Sequence, residues 1–152
     1  MTFSHNRFAR RLTRALNALL PEPFEVLTNA GHLVLPNGDS YIPDVAVLTP
    51  AAAAKFERDG RQFERYEDPL PFVVEVWSPS TGFYDVDAKI PGYRARGDAE
   101  IWRVQPYDRR VTVWRRRADG AYDETIHLGG TIEISSLPGV VVDLDRLFET
   151  LG

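Results

Sequence analysis

The chain has 152 residues, 43% hydrophobic and 26% charged, the composition of a folded globular protein and not of a disordered one. Its formal charge of −4 lacks the basic excess of many nucleic-acid-binding domains, and the absence of cysteine excludes disulfides and thiolate-held zinc. No apolar run approaches the roughly 20 residues that span a bilayer, and the Arg-rich start is unlike a secretory signal, so a cytoplasmic protein without membrane contact is expected.

The length suits one domain over residues 1–152. Ser4 is a good N-cap, and Phe8, Leu12, Ala15, Leu16 and Leu19 then share one face. Ser4 to Leu20 is therefore predicted as an amphipathic helix closed by Pro21. Phe24 to Thr28 and His32 to Leu35 read as strands joined by Asn29-Ala30-Gly31. Asn37-Gly38 is a tight-turn dipeptide leading to a third strand, Tyr41 to Leu48, which predicts a meander. Pro50 to Pro71 reads as a short helix and a surface loop.

Pro71 to Trp77 is a strand, and Ser78 to Gly82 a loop. Asp85 or Asp87 can cap the next helix. Because proline is tolerated in a first turn, Pro91 sets the start near Asp87, with the end at Gly97. Glu100 to Gln105 and Arg109 to Arg116 alternate as a hairpin pair. Tyr122 to Leu128 and Thr131 to Ile134 add weaker strands, and a short terminal helix packs Leu144, Leu147 and Phe148. The order predicts an α/β (α+β) domain, a mixed central β-sheet flanked by helices.

Two acids stand inside apolar strand runs, Asp44 in YIPDVAVL and Glu75 in PFVVEVW. An ionised carboxylate there loses its hydration at a cost of several kcal/mol unless a cation compensates. Two such cases in one small chain point to a shared cation. Of the 18 basic residues, 16 are arginine, so Lys89 is a choice of ammonium over guanidinium. Carboxylates converging on Mg²⁺, with a lysine that orients or deprotonates water or stabilises the oxyanion, suit phosphodiester hydrolysis. Asp85, four residues before Lys89, is one helical turn away if the helix begins early. The arginines at 7, 10, 11 and 14 and at 109, 110, 115, 116 and 117 are either solvated faces or phosphate contacts.

His5 has three open readings: a group supporting the site, a phosphate contact, or a frayed terminal residue. Tyr93 either packs beside the site or covers the sheet. His32 and His127 are expected on strands or the surface, and Trp77, Trp102 and Trp114 in the core. Ser78 and Ser80 lack a His–acid relay and read as loop residues.

The segments IPDVAV at 42–47, VVEVWSPST at 73–81 and DVDAK at 85–89, with Tyr93, Gly97, Glu100 and Trp102, resemble the Uma family. Those proteins are restriction endonucleases of the PD-(D/E)XK nuclease superfamily. The resemblance implies a restriction-endonuclease-like fold and Mg²⁺- or Mn²⁺-dependent cleavage of DNA. Asp44 and Glu75 would be metal ligands, joined by the Val76 carbonyl, with Lys89 as the catalytic lysine. His5 and Asp85 would support them. The superfamily's usual lysine position, two after the acid, holds Trp77. Cutting both strands of a duplex favours a homodimer. The competing expectation is a nuclease-like domain that binds nucleic acid or protein and cuts nothing.

Overall fold

The computed structural model describes residues 3–59, 65–78 and 82–149. Helix α1 (Phe3–Leu19) leads into strands β1 (Glu25–Thr28), β2 (His32–Val34), β3 (Ser40–Tyr41) and β4 (Val45–Leu48). Helix α2 (Pro50–Asp59), β5 (Arg65–Tyr66), β6 (Phe72–Val76) and α3 (Gly82–Arg96) follow. The remainder is β7 (Glu100–Gln105), β8 (Arg110–Arg116), β9 (Tyr122–His127), β10 (Thr131–Glu133), β11 (Val141–Asp143) and α4 (Leu144–Phe148).

The main sheet has the order β1-β4-β6-β7-β8-β9. Every neighbouring pair is antiparallel except β6 and β7, which are parallel because α3 carries the chain back across the sheet. Smaller sheets pair β10 with β11 and join β3, β2 and β5. The expected mixed sheet flanked by helices is the fold found.

Each face of the main sheet has its own core. On one face Phe8, Leu12 and Leu16 of α1 pack with Leu144, Leu147 and Phe148 of α4 against Val45, Val47, Val74, Trp102 and Val104. Each fully buried side chain of this size contributes about 1.5–3 kcal/mol. On the other, Ile90 and Tyr93 of α3 pack with Leu33, Tyr66, Val73, Ile101 and Trp114. All five residues of β6 are buried, as befits a central strand covered from both sides.

Several expected elements differ. The meander does not form: β2 and β3 leave the main sheet for the small one, and β4 pairs with β1. The cause is Pro43, which interrupts the run so that Tyr41 and Val45 serve different sheets. Helix α3 begins at Gly82, not near Asp87, so Pro91 sits well inside it and leaves the Asp87 carbonyl without its usual donor. At Gly92 the helix closes on the small sheet, where an added Cβ would meet Leu35 Cδ2 at 2.8 Å and Tyr41 Cε2 at 2.9 Å. Leu19 is 46% exposed, outside the α1 stripe. Strands β5 and β11 are not predicted by the sequence pattern, and Pro79, Ser80 and Thr81 lie outside the described residues. Trp102 and Trp114 are core residues as expected, whereas Trp77 is half-buried, edge-on to the exposed Tyr107 ring.

Candidate functional site

The break at Pro43 places Asp44 immediately before β4. The β4–β6 register runs Val45 to Val74, Ala46 to Val73 and Val47 to Phe72. One further step sets Asp44 opposite Glu75. By strand alternation both side chains share the face of Ala46 and Val73, the face that α3 covers. The Asp44 carbonyl accepts from the Asn29 amide at 2.9 Å, and its carboxylate Oδ2 accepts from the Val76 amide at 2.7 Å. Backbone on both sides thus fixes the residue before any ligand arrives.

Helix α3 presents Lys89 and Tyr93, one turn apart, over Glu75. The Tyr93 hydroxyl donates to Glu75 Oε1 at 2.5 Å, and Lys89 Nζ lies 3.4 Å from the same oxygen. Lys89 also donates to the Ile42 carbonyl at 3.3 Å, tying α3 to the segment that carries Asp44. From the other direction, His5 Nε2 of α1 is 3.1 Å from Asp44 Oδ1. Of the three readings of His5, the frayed terminal residue is excluded: the side chain is buried and in contact with Asp44. Tyr93 packs beside the site. The side chain of Asp85 lies outside the described residues. Val76 is brought to Asp44 through its amide.

The two carboxyls titrate apart. Burial, reinforced by the charge of Asp44, pushes Glu75 up to about 8, against the opposing pull of Lys89 and the Tyr93 hydroxyl. Burial also raises Asp44, but the His5 and Val76 hydrogen bonds, His5's charge and a hydrogen bond from Glu75 outweigh it and hold this acid below its usual value. Burial, with the Glu75 charge second, raises the Tyr93 phenol, which therefore remains a donor. Near neutral pH the pair holds one proton, on Glu75, and one negative charge, on Asp44.

Among the described residues no group of three or more His, Cys, Asp or Glu side chains forms a ready-made metal cage. Two carboxyls side by side still match Mg²⁺, which typically takes one or two protein carboxylates and keeps several waters. A dication would also favour the ionised form of Glu75, against the burial and, secondly, the Asp44 charge that hold its proton.

Buried acids occur elsewhere with a different solution. Asp98 is clasped by Arg96, which also donates to the carbonyls of Val34, Tyr66 and Asp68. Glu100 accepts from Arg115, Trp102 Nε1 and Ser135. Both are pairs with their own guanidinium. The Asp44–Glu75 pair instead faces imidazole and ammonium groups. Sequence reasoning missed Arg103, which stands beside Glu75 in the β6–β7 register and forms an ion pair with Asp87 of α3, Nε to Oδ1 2.9 Å. Only strand register, which the sequence does not display, sets it there. His32 and His127 lie on β2 and β9, away from these groups.

A model of the Uma2 family, described as putative restriction endonuclease, matches residues 1–145. No curated protein matches the chain. Among solved structures, a putative nuclease belonging to DUF820 from Anabaena variabilis aligns with a TM-score of 0.78 at 15% identity, covering 97% of this chain and 82% of that one. At that identity the likeness establishes the shared fold.

Proposed function

Because the chain belongs to the Uma2 family of putative restriction endonucleases, we propose that it is a divalent-metal-dependent endonuclease hydrolysing phosphodiester bonds in DNA. The observation that carries this reading is the facing pair Asp44 and Glu75, with Lys89 Nζ 3.4 Å from Glu75 Oε1. Asp44, Glu75 and the Val76 carbonyl would hold Mg²⁺ or Mn²⁺. Such an ion, when bound, supplies positive charge against the phosphate and acidifies water.

The chain's own residues do the rest. The Val76 amide and His5 hold the Asp44 carboxylate in one orientation, and the Tyr93 hydroxyl does the same for Glu75. Lys89 orients the attacking water and stabilises negative charge on the phosphoryl oxygens. It substitutes for a lysine two residues after Glu75, where Trp77 stands. What the chemistry needs is an ammonium at the site, and α3 delivers one from the adjoining helix. Hydrolysis adds one water across one P–O bond, hydroxyl to phosphorus and proton to the leaving oxygen. A two-fold homodimer would present one such site to each strand of a duplex.

Incubation of supercoiled plasmid with the protein in Mg²⁺ or Mn²⁺ tests the reading. Nicked or linear product is expected, and Asp44→Asn or Lys89→Ala should each lower the rate by about a hundredfold or more. Full cutting by either variant would refute that residue's role. An uncut plasmid in both metals, with DNA still bound, would favour the non-cutting domain.

A further inference from the structure

Helix α1 carries arginine at 7, 10, 11 and 14 and no acidic residue, within a chain of net charge −4. These arginines are not equivalent. Arg11 is used internally, donating to the carbonyls of Arg146 and Glu149 at the end of α4. Arg10 and Arg14 are exposed and, among the described residues, have no acceptor. Many other guanidiniums in the chain are already paired, as Arg96, Arg103 and Arg115 are.

Arg10 and Arg14 both line a groove of about 420 Å³ between α1 and the end of β1. Asn6, Arg10, Arg14 and Asn17 form its helix side, spaced at three and four residues so that they make one polar stripe. The Thr13 and Thr28 hydroxyls, 2.8 Å apart, join helix to strand. The groove ends at His5 and Asp44, and Asp44 is the acid among the described lining residues. Arginines four positions apart are about 6 Å apart along the axis, so a chain of anions parallel to α1 passes both.

We propose that this groove is the track for the sugar–phosphate backbone of the DNA strand entering the Asp44–Glu75 site, with Arg10 and Arg14 as its phosphate contacts. The choice of DNA as ligand rests on the nuclease reading; the placement rests on the groove. Guanidinium groups free of protein acceptors bind phosphate oxygens bidentately, and the amide and hydroxyl groups add neutral donors. Contacts of this kind position a strand without reading its bases.

The test is binding of a fluorescent DNA duplex across a salt series, with Glu75→Gln in every protein so that nothing is cut. The Arg10→Gln/Arg14→Gln pair should reduce the slope of log K against log salt by about 1.8, since each phosphate contact contributes about 0.9. Affinity near 0.1 M salt should fall on the order of tenfold to a hundredfold, equally for unrelated sequences. Arg110→Gln/Arg117→Gln, which removes the same charge outside the groove, should leave the slope in place. Circular dichroism and melting confirm that all are folded. An unchanged slope in the groove variant, an equal loss in the control, or no duplex binding by the parent overturns the assignment. Cutting by the wild-type protein is read separately, so plasmid left intact by a protein that shows the predicted slope loss would refute the nuclease and keep the groove.

Discussion

Replacing Glu75 by glutamine should stabilise the metal-free protein, by an amount that grows with pH. Burial, and secondly the Asp44 charge, raise this carboxyl from 4.5 to about 8. A raised native value means the folded protein holds the proton more tightly than the unfolded chain. Glu75 therefore contributes its stability in full below 4.5 and loses it as pH rises through about 8. At about 1.4 kcal/mol per pH unit the whole interval amounts to about 5 kcal/mol, of which about 4 kcal/mol falls between pH 5 and pH 9. Asp44 shifts the opposite way, so its stabilisation is present above its unfolded value and is lost only in acid, outside that window.

Glutamine can still accept from Tyr93 and Lys89 but cannot ionise. Denaturant melts in EDTA should therefore place variant and wild type close together at pH 5 and several kcal/mol apart at pH 9. Asp44→Asn, which removes the second cause of the shift, should flatten the wild-type slope. Parallel pH profiles for wild type and Glu75→Gln would overturn this prediction, because they would mean that Glu75 ionises in the fold as it does in water.

Two further substitutions probe the scaffold around the site. Arg96→Ala removes the cation from the buried Asp98 and leaves the carbonyls of Val34, Tyr66 and Asp68 without that donor, so denaturant melts should show a loss of about 3–5 kcal/mol. Gly92→Ala places a Cβ 2.8 Å from Leu35 and 2.9 Å from Tyr41, so it should cost about 1–3 kcal/mol in the same melts. It should also slow plasmid cutting, because the displaced helix carries Lys89 and Tyr93.

What the sequence disclosed followed from periodicity and from misplaced charge. The stripe Phe8, Leu12, Leu16 specified α1, and the alternation of Glu100 to Arg116 specified the β7–β8 hairpin. Asp44 and Glu75 stood out as acids in apolar runs. The same criterion applies equally to Glu100, yet that residue is a structural acid held by Arg115. Local sequence shows that a charge is buried; only tertiary pairing shows whether a guanidinium already answers it. Strand partners were least legible. A two-residue strand such as β5 has too few positions to express a period, and the division of β3 from β4 depended on a second sheet to receive Tyr41. The start of α3 is not legible because a proline reads as a first-turn residue, whereas packing against β6 and β7 holds the helix together through it.

Calorimetric titration of Mn²⁺ or Mg²⁺ into wild type and Glu75→Gln tests the shared-cation site most directly. Saturable binding is expected for the wild type and none for the variant, the same variant that is the more stable protein without metal. Equal binding by both, or no binding by the wild type at millimolar metal with DNA present, would contradict it.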